Sequence, residues 1–132
     1  MGRLGSPPAG LFVYGTLRCD RVLDGLLRRI PRGVPDSAPG WRVASLAARV
    51  YPGLVPGPGA AVGLVLSDLT LPEWRILDDF EDQCYELRPL TLASGRDAVA
   101  YVWTVDSEVL ASDWDLTSFE RDHVAAYVAR FQ

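Results

Sequence analysis

The chain has 132 residues, which fits one domain and leaves little room for two. Hydrophobic residues make up 48% of it and aromatic residues 10%, enough apolar material for a buried core, which argues against disorder. The net charge is −4 and the arginines are scattered, so nucleic acid is not expected as a partner.

Two cysteines, Cys19 and Cys84, and one histidine, His123, are present. Neither cysteine belongs to a C-x-x-C pair, and no zinc set assembles by ordinary spacing, so no metal is expected. Free thiols in a reducing cytosol are the simplest reading. Residues 1–9 contain Gly, Pro and Ser without a long apolar run; they read as a flexible leader, not a signal peptide. Residues 10–132 read as one domain. No stretch has the apolar length of a transmembrane helix, so a cytoplasmic protein without a membrane partner is expected.

In chain order, residues 11–14 form an apolar run ending at Gly15, a buried strand followed by a tight turn. Val22, Leu23, Leu26, Leu27 and Ile30 recur at helical spacing, with Asp20 placed to cap. Residues 31–40 and 52–59 are rich in Pro and Gly and read as loops. Residues 41–46 and 48–51 read as strands, as do 61–69, where Val62, Leu64 and Leu66 share a face. The spacing predicts a helix over 71–80, with Pro72 near its first position and Thr70 or Leu71 as cap. Strands follow at 85–92 and 98–105, joined by a Ser94-Gly95 turn. Thr117 and Glu120 suggest a capping box before a helix that carries Val124, Tyr127, Val128 and Phe131 on one face. Short strands with few helices argue for an α+β fold whose sheet closes toward a barrel.

Two segments carry candidate chemistry. The first is Leu77-Asp78-Asp79-Phe80-Glu81-Asp82, where four carboxylates crowd the end of a predicted helix. The helix dipole disfavours each exposed negative charge there by roughly 0.3–1 kcal/mol. If the helix persists, Trp74, Leu77 and Glu81 share the apolar face, and the other acids point outward. A carboxylate on a buried face has a raised pKa, which suits an acid/base catalyst near neutral pH. Taken alone, the segment reads more simply as an acidic surface turn. The second segment is Tyr14-Gly15-Thr16-Leu17, a strand end entering a helix. Gly15 permits a sharp turn, and the amides of Gly15, Thr16 and Leu17 can converge on an anion or oxyanion. It lacks the further glycines of a dinucleotide fingerprint and the Gly-Lys-Ser/Thr of a P-loop.

Together these segments resemble the gamma-glutamylcyclotransferase family. Phe12-Val13-Tyr14-Gly15-Thr16-Leu17-Arg18 is similar to its Tyr-Gly-Ser/Thr-Leu motif, and Tyr51-Pro52-Gly53-Leu54 to the Tyr-Pro-Gly segment of its bacterial and plant-like members. Val62-Gly63 fits the family's Val-x-Gly strand loosely. Leu77-Asp78-Asp79-Phe80-Glu81 resembles the Leu-Asp-x-x-Glu signature, followed by Tyr85 and Arg88. Ala100-Tyr101-Val102 and Ser112-Asp113-Trp114 echo later segments. Asp82 stands where the family often has glycine, and Ala111-Ser112-Asp113 where it often has Ser-Gly-Asp.

The resemblance implies a small mixed β-barrel with short flanking helices. It implies intramolecular aminolysis of a gamma-glutamyl amine or amino acid to 5-oxoproline, without metal or organic cofactor. It implies Glu81 as the general acid/base, with the backbone of Gly15, Thr16 and Leu17 holding the substrate's carboxylate or carbonyl oxygen. Tyr14 and Tyr85 are candidates to hydrogen-bond substrate or orient Glu81, and Arg88 to bind the substrate's carboxylate. Each has a plainer alternative. Tyr14 and Tyr85 can be core aromatics, and Arg88 a surface strand arginine. Cys84 has no histidine placed to activate it as a nucleophile, and His123 reads as a solvated helix residue. Tyr51 and Pro52 read as pocket wall, and specificity is expected from the loops at 31–40 and 52–60. Two other functions fit the same residues: a non-catalytic module that binds a small molecule, and a hydrolase in which Glu81 activates water. Oligomeric state is not legible.

Overall fold

The computed structural model describes residues 10–131, and the expected leader at 1–9 lies outside the described residues. β1 (Leu11–Val13) leads through a 3-10 turn at Thr16–Arg18 into α1 (Asp20–Leu27). Two long strands follow, β2 (Gly33–Leu46) and β3 (Gly53–Leu66), then α2 (Leu71–Phe80), β4 (Tyr85–Thr91) and β5 (Asp97–Trp103). A 3-10 turn at Asp106–Glu108 precedes β6 (Val109–Asp113), α3 (Leu116–Asp122) and α4 (Val124–Ala129).

The six strands form one mixed sheet in the order β4-β5-β1-β3-β2-β6. β3 governs its shape. At its far end β3 runs antiparallel to β1, with Leu11 opposite Leu66. Near its start Leu54 lies parallel against Val102 of β5. β3 therefore pairs with β1 and, past the end of that short strand, with β5, and the sheet curls into a half-barrel. The expected α+β fold, a small mixed barrel with short helices, is what these residues form.

Alternation along β1 separates two cores. Leu11 and Val13 belong to the cluster beneath the helices, together with Val22, Leu23, Trp74, Leu77, Phe119 and Tyr127. Phe12 and Tyr14 belong to the cluster on the other face, with Leu54, Val65, Ala100 and Val102. Tyr14 thus ends a strand buried on both faces, and Gly15 emerges between the two cores.

The two Pro/Gly segments expected as loops are strands. Residues 33–40 pair with 60–66 as one arm of the β2–β3 hairpin. Proline lacks an amide donor and is tolerated on edges and at bulges. Here Pro35 and Pro39 lie in the half of β2 that pairs with β3 but not with β6. The register breaks between Pro39 and Trp41, where Gly40 (φ 83°) and Gly59 (φ 84°) both take left-handed backbone. Residues 48–51, expected as a strand, form the hairpin connection, and Ala48 has φ 60°. The C-terminal helix is broken at His123 into α3 and α4. Its cap is the Asp115 side chain, which accepts from the Ser118 amide, in place of the expected Thr117–Glu120 box.

α2 forms where local sequence dictates. Thr70 caps it, accepting from the Glu73 amide, while the Glu73 carboxylate accepts from the Thr70 amide, and a proline sits in the first turn. Trp74 and Leu77 are buried against the sheet. Glu73 also receives two hydrogen bonds from Arg29, at 2.6 and 2.7 Å, which tie the start of α2 to the end of α1.

Candidate active site

α2 ends at Phe80. Glu81 is its C-cap, with extended backbone (φ −71°, ψ 138°) and its amide donating to the Leu77 carbonyl at 3.1 Å. The direction of Glu81 is therefore set by how the chain leaves the helix, and the expected helical face does not carry it. The carboxylate buried beside Trp74 and Leu77 is instead Asp78, 5% exposed. This corrects the expectation that the other acids all point to solvent. Glu81 is half-buried.

Across from Glu81 stands the glycine turn. Gly15 precedes the 3-10 turn, whose Arg18 amide donates back to the Gly15 carbonyl at 2.9 Å. A helical turn leaves its first amides without intrahelical acceptors. A Cβ on Gly15 would lie 2.6 Å from Pro52 Cγ, so only glycine lets the β2–β3 hairpin close over this turn. Gly15, Thr16, Leu17, Tyr14, Glu81 and Tyr85 share one small hollow of about 20 Å3. Beside it lies a cavity of about 290 Å3, with Thr16, Glu81 and Tyr85 common to both. Glu81 thus sits on the boundary between a small hollow beside the glycine turn and a larger cavity.

Phenols surround this boundary. Tyr14 donates its hydroxyl hydrogen to the Tyr101 carbonyl at 2.6 Å, and Tyr85 donates to the Pro52 carbonyl. Burial, and then the negative charge of Glu81 among other groups, push both hydroxyls well above the ordinary tyrosine pKa. Tyr127 is pushed up to about 12, by burial first and also by Glu81. All three stay protonated near neutrality and can serve as hydrogen-bond donors.

Asp82, the residue after Glu81, is held by two hydrogen bonds. One oxygen accepts from the Cys84 amide at 2.8 Å and the other from the Tyr51 hydroxyl at 2.6 Å. Burial acts to raise its pKa, but the Tyr51 and Cys84 hydrogen bonds and Arg49 outweigh it, and the net shift is downward. Arg49 donates to the Tyr51 hydroxyl at 3.1 Å, pairs with Glu108 at 2.7 Å and lies over the Trp103 ring. Tyr51 is raised to about 12 by burial and by Asp82.

The fold brings Tyr14, Gly15, Thr16, Leu17, Glu81 and Tyr85 together. It does not bring Arg88. That residue lies exposed on β4, pairs with Glu86 at 3.2 Å and lines neither cavity. The arginine on the larger cavity is Arg130, beside Tyr127, Phe131 and Phe80. Sequence reasoning assigned Tyr127 and Phe131 to helix packing and missed that they also wall the site. The apolar face at 124–131 held the signal: after the His123 break α4 packs on α1, and Tyr127 and Phe131 meet Phe80 at the end of α2. Of the segments expected to set specificity, 52–60 contributes Pro52 to the small hollow. The strand segments at 33–40 do not line the cavity, whereas Tyr51, at the hairpin tip, does. Cys84 and Cys19 are free thiols, and no group of three His, Cys, Asp or Glu side chains among the described residues is arranged to hold a metal. No helix among the described residues is long and apolar enough to cross a membrane.

A family model described as gamma-glutamyl cyclotransferase, AIG2-like, matches residues 11–116. AIG2-like protein D of Arabidopsis thaliana is 33% identical over 126 residues, covering 89% of this chain and 83% of the relative. AIG2-like protein C of the same plant is 36% identical over 118 residues, covering 84% and 69%. A solution structure of an Arabidopsis thaliana protein is similar with a TM-score of 0.69 at 25% identity, over 99% of this chain and 93% of that one. The crystal structure of an uncharacterized protein from Pyrococcus horikoshii has a TM-score of 0.64 at 21% identity, over 88% and 98%, which shows a common fold.

Proposed function

Because the chain belongs to the gamma-glutamyl cyclotransferase, AIG2-like family, we propose that it converts a gamma-glutamyl amine or amino acid to 5-oxoproline and a free amine. The observation that carries this reading is the meeting of Glu81 with the Gly15–Leu17 turn in one hollow. A base and a set of oxyanion donors are the two things an intramolecular aminolysis asks of a protein.

The nucleophile is the substrate's own alpha-amine. Glu81 takes a proton from the alpha-ammonium, and the amine nitrogen attacks the gamma-carbonyl carbon. A new C–N bond closes the five-membered ring and the carbonyl oxygen becomes an oxyanion. The amides of the glycine turn hold this oxygen or the substrate carboxylate. Glu81 then returns its proton to the leaving nitrogen, the original amide C–N bond breaks, and Glu81 takes the second proton from the ring nitrogen and passes it to the departing amine, so that 5-oxoproline and an ammonium separate. Charge and atoms balance without an external reactant.

Magnitudes favour such economy. Holding amine and carbonyl in an attack geometry supplies much of the acceleration, up to roughly 7–11 kcal/mol for well-oriented pairs. One acid/base group adds about 10²–10⁴-fold, and an oxyanion donor a further share of about 10²-fold or more. The leaving amine occupies the larger cavity, walled by Tyr51, Phe80, Tyr127 and Phe131. Product analysis tests the reading on a panel of gamma-glutamyl amines and peptides. 5-Oxoproline with one equivalent of amine is expected, and glutamate in its place would make the protein a hydrolase.

A further inference from the structure

Of the acids at the end of α2, Asp78 alone is deeply buried, and the mechanism above does not use it. It sits at the C-terminal end of a helix, where the dipole opposes negative charge, in a face otherwise made of Trp74 and Leu77. Burying a carboxylate is costly unless hydrogen bonds compensate, and a neutral side chain would fill this face at less cost. A local rule broken in this way beside a reactive group points to function.

The partners of Asp78 say which function. Its Oδ1 accepts from the Tyr101 hydroxyl at 2.8 Å, in the buried interior. The main-chain carbonyl of the same Tyr101 accepts from the Tyr14 hydroxyl at 2.6 Å. Tyr14 immediately precedes Gly15, and Asp78 lies three residues before Glu81. Tyr101 also walls the hollow that holds Glu81 and Gly15. Two hydrogen bonds therefore run from the last turn of α2 through β5 to the end of β1. They join the helix end that delivers the acid/base to the strand end that delivers the amides.

We propose that Asp78 is a positioning residue: through the Tyr101 hydroxyl it fixes the spacing between the Glu81 carboxylate and the Gly15–Leu17 amides. The role rests on the cyclotransferase reading for its catalytic consequence, but the spacing itself is independent of it. Asp78 neither touches substrate nor exchanges protons in this scheme.

The full chain tests it with Asp78→Asn, Asp78→Ala, Tyr101→Phe and, as control, Glu81→Gln. Tyr101→Phe removes one oxygen and keeps the ring, so it carries the test if Asp78→Ala fails to fold. With a gamma-glutamyl substrate, Tyr101→Phe and Asp78→Ala lower kcat about 10–100-fold, the scale of a small misplacement, with KM nearly unchanged. Asp78→Asn keeps an acceptor oxygen for Tyr101 and recovers most of kcat, and the limbs of the pH–rate profile stay in place. Wild-type kcat in Tyr101→Phe, or a loss in Asp78→Asn as deep as in Asp78→Ala, overturns the proposal. A second measurement needs no turnover. In NMR spectra of Tyr101→Phe, the amides of Gly15, Thr16 and Leu17 and the carboxyl carbon of Glu81 shift together; unmoved resonances overturn the proposal. Wild-type turnover in Glu81→Gln overturns Glu81 as the acid/base, and absence of 5-oxoproline from the wild type across the panel overturns the cyclotransferase reading; either result leaves these NMR shifts to decide the role of Asp78.

Discussion

The Tyr51 hydroxyl donates to the Asp82 carboxylate at 2.6 Å, tying the tip of the β2–β3 hairpin to the residue that follows Glu81. The acidic group beside Glu81 is thus part of a clamp, completed by Arg49 and the Cys84 amide. It holds the cavity wall against the end of α2.

Removing that clamp costs stability before it costs chemistry. Tyr51→Phe deletes the donor to a partly buried carboxylate, and a destabilisation of about 1 kcal/mol is expected. Denaturant unfolding measures it. Asp82→Asn, which keeps an acceptor for Tyr51, is expected to lose less.

Gly15 is fixed by Pro52. A methyl group on Gly15 would meet the Pro52 ring at 2.6 and 2.9 Å, and Pro52 also supplies the carbonyl that holds the Tyr85 hydroxyl. Gly15→Ala is expected to destabilise by about 1–3 kcal/mol, as overpacking does. Thermal unfolding checks this, and the double variant Gly15→Ala, Pro52→Ala recovers a large part because the space is returned.

How much of this was legible from the residues differs by element. α2 could be read to its ends because its determinants are local: Thr70, Pro72, Glu73 and the Trp74–Leu77 face. The Tyr14–Leu17 turn and Glu81 were likewise visible as motifs. The face that Glu81 takes was not, because the helix stops one residue before it and chain exit replaces helical periodicity. That is also why Asp78 was passed over. The strand at 33–40 was hidden by its prolines, which are tolerated only because β6 does not pair there. Tyr127 reaches the site through the break at His123, a tertiary event without a local signature.

The Glu73–Arg29 pair sets an acid limit on stability. The Arg29 guanidinium, chiefly, lowers the Glu73 pKa from 4.5 to about 2. A depressed folded-state pKa contributes stability that is present above the unfolded value and lost as pH falls through the folded one. Urea midpoints are therefore expected to fall between about pH 4.5 and about pH 2 through this group. Glu73→Gln preserves the capping box and is expected to show a shallower decline over that window.

Arg88 lies away from both cavities and pairs with its neighbour Glu86 on an exposed strand face. Arg88→Ala is expected to leave turnover at the wild-type level and to change stability by less than about 1 kcal/mol, as exposed pairs do. Steady-state kinetics of this variant separate the fold's placement of Arg88 from the carboxylate-binding role considered for it on sequence.

The central claim is that Glu81 moves the proton that closes the ring. Release of 5-oxoproline from the best substrate of a gamma-glutamyl panel, compared between wild type and Glu81→Gln, tests it most directly. A folded Glu81→Gln protein with turnover reduced by at least about 10²-fold is the expected result. Glu81→Gln turning over at the wild-type rate would contradict the account.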